Sequence, residues 1–182
     1  MMNLFHLKTI CLFLALSLTS TTGYAWTTFS DKKEGFQADF PCKVQTQQVN
    51  QKDKFFKTYS CEESVSNSLL LYQVTLAGRV DGKPLKYRKG DINLALKNFI
   101  IGNLAVYGAN TKNIEFHEVA KFMNKYPAIY YYTNSLRGGI TAEGLSCLIK
   151  GKHCKIGIIY EPLGSDIARK RFQHFLNSYQ LN

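Results

Sequence analysis

The stretch Ile140-Thr141-Ala142-Glu143-Gly144-Leu145-Ser146-Cys147-Leu148-Ile149, followed by Lys150-Gly151-Lys152 and then His153-Cys154-Lys155-Ile156-Gly157-Ile158-Ile159-Tyr160, reads as two β-strands around a tight turn. The turn sets Cys147 opposite Cys154. A second hairpin reads the same way nearer the amino terminus: Val44 to Val49 and Lys54 to Cys61 flank a polar turn at Asn50-Gln51-Lys52-Asp53, which brings Cys42 into register with Cys61. Two cross-strand disulfides, Cys42 to Cys61 and Cys147 to Cys154, are therefore expected. A four-cysteine zinc site would need ligand pairs two to four residues apart, and these spacings are far longer. Free thiols are the remaining alternative.

Working outward, Phe36, Ala38 and Phe40 alternate with Gln37 and Asp39 before Pro41, a strand signal, and Leu69 to Ala77 reads as a largely buried strand. Gly78 to Gly90 is a loop broken by Gly82 and Pro84, carrying Arg79, Lys83, Lys86, Arg88 and Lys89 against Asp81. Asp91 is the expected N-cap of a helix over Ile92 to Tyr107, where Ile92, Ala95, Leu96, Phe99, Ile100, Asn103, Leu104 and Tyr107 recur at three and four. Ile114 to Lys121 and Ala128 to Asn134 are the next strands. Ser165 or Asp166 caps a last helix running through Asn177, with Ala168, Phe172, Phe175 and Leu176 inward and Arg169, Lys170, Arg171 and His174 mostly outward. The tally is an α+β chain, an antiparallel sheet flanked by helices.

The ends of this series carry a resemblance. Phe36-Gln37-Ala38-Asp39-Phe40-Pro41 before a strand hairpin, a helix in mid-chain and a terminal helix ending Phe175-Leu176-Asn177-Ser178-Tyr179 resemble the PsbP-like family over about Phe29 to Leu181. The resemblance implies an α/β/α sandwich and a non-enzymatic adaptor, chaperone or assembly factor. It supplies no catalytic residue to carry over. The two cysteine pairs and the absence of a plastid transit signal depart from the family's pattern.

Met1 to Ala25 has the shape of a secretory signal peptide: a short basic start, the apolar run around Leu12 to Leu16, and a small-residue end at Gly23-Tyr24-Ala25. Its apolar stretch is shorter than the roughly 20 residues a membrane-spanning helix needs. A mature chain beginning at Trp26, placed in the periplasm or secreted, is the expectation, and an even number of remaining cysteines suits an oxidising compartment.

The 182 residues are 45% hydrophobic and 20% charged, the balance of one folded domain, and exclude a disordered or collagen-like chain. With 23 Lys and Arg against 13 Asp and Glu, the net charge of +10 draws polyanions. The densest cluster is Arg79 to Lys89, and Arg169-Lys170-Arg171 is a second. Solvated charge that keeps the protein monomeric is the plainer reading of both. Nucleic-acid binding prefers basic residues interleaved with exposed aromatics; Tyr87 between Lys86 and Arg88 offers that once, so no nucleic-acid partner is expected.

Catalytic chemistry finds little to stand on. There is no Gly-x-Ser-x-Gly elbow, no phosphate-loop or dinucleotide glycine pattern, and no Cys-x-x-Cys. His117 and His174 with Lys121 are the residues a basic secreted nuclease would use for proton exchange. Glu115 and His117, two apart on a strand, share a face and give two ligands toward a metal. Tyr130-Tyr131-Tyr132 puts Tyr130 and Tyr132 on one face and Tyr131 on the other. The reading is an exported, non-enzymatic domain without cofactor or metal, binding a protein partner or an anionic envelope component at the basic loop. A secreted nuclease is the alternative.

Overall fold

The structure, a computed structural model, describes residues 25–162 and 165–182; the expected signal peptide lies outside the described residues apart from residue 25. Among the described residues ten strands run in order: β1 (Thr27–Asp31), β2 (Phe36–Phe40), β3 (Gln45–Gln51), β4 (Lys54–Val65), β5 (Ser68–Arg79), β6 (Glu115–Phe122), β7 (Tyr126–Thr133), β8 (Thr141–Ile149), β9 (Lys152–Tyr160) and β10 (Gln180–Leu181). Helix α1 (Ile92–Ala105) separates β5 from β6, and α2 (Ser165–Ser178) follows β9. Seven strands form one sheet in the order β3-β4-β5-β9-β8-β7-β6, and β1-β2-β10 form a small second sheet. Every pairing is antiparallel. The α+β class follows directly.

The β8–β9 hairpin sits near the middle of the large sheet. Its turn is the two residues Lys150 and Gly151, both at positive φ, which suits the right-handed twist of the strands. Gly151 is required twice over, because a side chain there would run into Pro84 of the loop folded against it. Farther along, Gly144 pairs with Gly157, and the buried Tyr131 hydroxyl occupies the space their missing side chains leave.

Alternate residues of the large sheet serve two separate cores. On one face Tyr59, Tyr72, Val74, Leu145, Ile156 and Ile158 meet Phe36, Ala38 and Phe40 of the small sheet and Ala168, Phe172 and Phe175 of α2. Tyr179, just past α2, stacks on Phe36 with centroids 5.4 Å apart. Polar ties hold the small sheet in place: the Asp31 carboxylate accepts from Lys57 Nζ at 2.8 Å and Tyr59 Oη at 2.6 Å, and Lys152 Nζ donates to Glu34 at 2.9 Å. Glu63, buried, accepts from Arg171 at 2.7 and 2.8 Å, so that one of the three basic residues of the last helix turns inward rather than to solvent.

On the opposite face Leu96, Ile100 and Leu104 of α1 pack on Ile129, Tyr131, Ala142 and Ile159. The helix therefore covers the β7, β8 and β9 side of the sheet. Asp91 stands at its N-cap as expected, but its side chain makes no capping hydrogen bond.

Two expectations about the hairpins change. The β3–β4 turn is the pair Lys52-Asp53 rather than Asn50 to Asp53, with Gln51 opposite Lys54. Cys42 still bonds Cys61, Cα atoms 5.6 Å apart, because the chain leaves the ladder at Val44 and bends toward β4. Cys147 and Cys154 face each other in register yet are free thiols. Their sulfurs turn to different partners: Cys147 Sγ lies 3.6 Å from the Cys154 carbonyl, and Cys154 Sγ 3.5 Å from Tyr179 Oη. Burial pushes the Cys147 thiol well above its usual pKa, which keeps it protonated and unreactive.

Candidate binding site

The part of the sheet that α1 leaves uncovered is the floor of a cleft of about 780 Å³, a size common for small-molecule sites. Phe56, Thr58 and Ser60 of β4 and Leu71, Gln73, Thr75 and Ala77 of β5 point into it, with His153 and Lys155 of β9 at its foot. One wall is the second row of the α1 stripe: Ala95, Phe99 and Asn103 face the cleft, joined just past the helix by Tyr107, which also packs against the core beneath α1. The other wall is the basic loop. Leu85 N–H donates to the Gly151 carbonyl at 2.8 Å, folding the loop over the hairpin so that Leu85 and Tyr87 look inward.

Lys155 is the unusual group. It is 1% exposed, opposite Thr75 on β5 and Ser146 on β8, and among the described residues its ammonium donates only to Gln73 Oε1, at 3.3 Å. Burial alone pulls its pKa down to about 8; no carboxylate acts against that shift. Gln73 in turn donates from Nε2 to Tyr107 Oη at 2.7 Å, which leaves the Tyr107 hydroxyl proton free to be donated elsewhere.

His153 lies two residues along the same strand face. Its ring stacks on Phe99, centroids 4.7 Å apart, and its Nε2 is 2.7 Å from Tyr87 Oη. Burial, assisted by Lys54, lowers its pKa to about 4, so the imidazole is neutral near pH 7. If Nε2 accepts the phenol proton, Nδ1 carries a hydrogen, and that buried atom has no partner. The cleft thus combines one buried cation, several uncommitted donors and an apolar end made by Phe56, Ala77, Leu85 and Phe99.

The residues singled out from sequence distribute as follows. Of the basic loop, Arg79 is neutralised by Asp53 at 3.2 Å and Asp81 at 2.9 Å, and Lys83 is 3.9 Å from Asp81. Lys86, Arg88 and Lys89 are exposed and make no ion pair among the described residues. Lys86 and Arg88 flank Tyr87, which lines the cleft. His117 and His174 are not brought together: His117 is 3.7 Å from Glu115 and beside Tyr130, whereas His174 packs against Trp26 at a tilt and lies 3.6 Å from Asp39.

Glu115 and His117 line a shallower depression with Tyr130, Tyr132, Glu143 and Arg169, under the other side of α2. There Tyr130 Oη donates to Glu143 at 2.6 Å. Among the described residues no three His, Cys, Asp or Glu side chains gather as metal ligands. Tyr131 is core, and Tyr130 and Tyr132 share the opposite face as the strand period requires.

Sequence reasoning missed Lys155 and Gln73. The signal was there: a charged residue and an amide inside strands that are apolar on both sides of them.

No family model matches the chain, and none of the curated proteins does. Among solved structures it is similar to the solution structure of cyanobacterial PsbP (CyanoP) from Synechocystis sp. PCC 6803, at 10% identity and a TM-score of 0.44, over 91% of this chain and 99% of that one. A similarity at that level speaks to neither site nor partner. No helix among the described residues is long and apolar enough to cross a membrane.

Proposed function

We propose that this chain is an exported, non-enzymatic binding domain that holds an anionic component of the cell envelope at the face formed by the cleft and the basic loop. One observation carries the reading. Lys86 and Arg88, exposed and without an ion-pair partner among the described residues, flank Tyr87, which lines a cleft whose floor contains the buried Lys155. Exposed cations attract anions from a distance and act through solvent, and a buried one rewards the anion that arrives. The secretory character of Met1 to Ala25 and the Cys42 to Cys61 bridge support placement in the periplasm or outside the cell.

Changing Lys83, Lys86, Arg88 and Lys89 together to glutamate is expected to abolish salt-sensitive retention on heparin and on phosphatidylglycerol vesicles. The melting temperature should stay nearly constant, since none of the four is buried. Unchanged retention would reduce the loop to solvated charge. If the wild-type chain is held by heparin but never by vesicles, an acidic protein face, met in an adaptor, chaperone or assembly role, takes the place of the envelope component.

A further inference from the structure

We infer that the cleft takes a small amphiphilic monoanion, a carboxylate carried on an apolar body, with Lys155 as the residue that holds the headgroup. This deepens the reading above, because it takes the cleft to be where the partner is held, and it stands on the order of side chains along the cleft. Strand register sets Gln73 beside Ser60, then Thr75 beside Thr58 and Lys155, then Ala77 beside Phe56 and His153. The middle of the cleft is thus polar and holds the buried cation. The end beneath the loop is mainly apolar and aromatic, lined by Phe56, Ala77, Leu85 and Phe99, with the exposed Gln51 and Lys54 at its rim.

The polar middle leaves donors unused and holds no negatively charged acceptor. An ammonium has three N–H donors, and Lys155 uses one, on a neutral amide at the long distance of 3.3 Å. The Tyr107 hydroxyl has a proton to give once it accepts from Gln73. Two oxygens of a carboxylate supply acceptors for both groups and neutralise the buried charge. The apolar end accounts for the rest of the ligand. Lys155 is the one buried cation of the cleft and His153 beside it is neutral, whereas Lys54, which also lines the cleft near His153, is exposed to solvent; the buried site therefore matches one negative charge and not a phosphate diester chain. The volume, about 780 Å³, admits a molecule of ordinary metabolite size and excludes a folded partner.

The test compares decanoate with decanol, one chain length with and without the charge, by calorimetry on the mature wild-type protein. Decanoate should bind saturably, and decanol about tenfold or more weakly, as expected for loss of a charged hydrogen bond. Lys155→Met should remove that preference, lowering decanoate affinity to the decanol level. Gly102 lies on the cleft side of α1 with nothing within 4 Å of where its Cβ would be, so Gly102→Leu should weaken both ligands by filling part of that space. That second variant keeps the test decisive if Lys155→Met does not fold.

The inference is overturned if decanoate shows no saturable binding at millimolar concentration, if decanol binds equally well, or if either variant binds decanoate as wild type does. The four-glutamate loop variant separates the two readings. Decanoate binding that persists there while heparin retention is lost leaves the cleft inference standing, and heparin retention without decanoate binding leaves only the surface reading.

Discussion

On one face of the large sheet, Tyr72 of β5 and Ile156 of β9 disappear beneath Phe40 and Phe175, whose rings meet edge to face with centroids 4.9 Å apart. On the other face, Gln73 and Lys155, their immediate neighbours in sequence, look into a cleft. The first face is roofed by two elements, the small sheet and α2. The second has α1 alone, over β7, β8 and β9. A strand residue cannot choose its surroundings; alternation assigns it a face, and the roofing elements decide whether that face becomes core or site. Polar residues are placed accordingly. On the filled face the buried acid Glu63 is matched by Arg171 and Tyr72, and Glu143 is bonded by Tyr130 at one oxygen and left unpaired at the other, whereas on the open face the buried cation Lys155 and the His153 ring keep unused hydrogen-bonding capacity.

Truncating an aromatic ring on each face gives the largest expected contrast. Phe40 is fully buried among Phe29, Phe175 and the small sheet, so Phe40→Ala should cost about 3–5 kcal/mol in denaturant unfolding, the transfer of the ring plus the cavity left behind. Phe56 lines the cleft and is only half-buried, so Phe56→Ala should cost about 1 kcal/mol or less. Equal losses would show that the open face is packed as tightly as the other and that the cleft is closed in solution.

The same contrast explains what was legible from sequence. The β8–β9 hairpin was legible because apolar runs and a Lys-Gly turn are local signals, and α1 because its stripe repeats at three and four. Which residues of that stripe enter the core was not. Leu96, Ile100 and Leu104 do, and Ala95, Phe99 and Asn103 line the cleft, a division set by where the helix crosses the sheet. Strands β1 and β10 were missed since Thr27-Thr28-Phe29-Ser30-Asp31 and the pair Gln180-Leu181 become strands only by adding to β2. The Cys147 to Cys154 pairing was right in register and wrong in chemistry: opposite positions do not fix the rotamers that aim one sulfur at Tyr179. The cleft arises from contacts distant in sequence, and its one local trace was a lysine where apolar residues surround it on the strand.

The open face should reveal itself in the pH dependence of stability at His153. Its folded pKa of about 4 lies below the ordinary 6.5, so between those values the unfolded chain holds a proton that the folded chain does not. Stability from this group is therefore fully present above pH 6.5 and is lost as pH falls toward 4, by about 2 to 3 kcal/mol at pH 4.5. His153→Phe keeps an aromatic ring against Phe99 and removes the titration. Unfolding free energies of wild type and variant at pH 7.5 and 4.5 should show the variant losing less by that amount. Parallel losses would mean that water reaches the imidazole and that the foot of the cleft is wet rather than dry.

The smallest effect concerns the helix that makes the cleft's wall. Gly102 sits in the interior of α1, where glycine costs helix stability relative to alanine because the unfolded chain is freer and no side chain shields the backbone. Nothing lies within 4 Å of the position its Cβ would occupy. On a packed face such a glycine would be explained by a neighbour it lets in, as Tyr131 is let in by Gly144 and Gly157. Here it keeps space open. Gly102→Ala should therefore raise the unfolding free energy by about 0.5–1 kcal/mol, with no loss of folded structure by circular dichroism. A destabilisation instead would place another group against α1 at that point, and the uncovered part of the sheet would have to be counted as core.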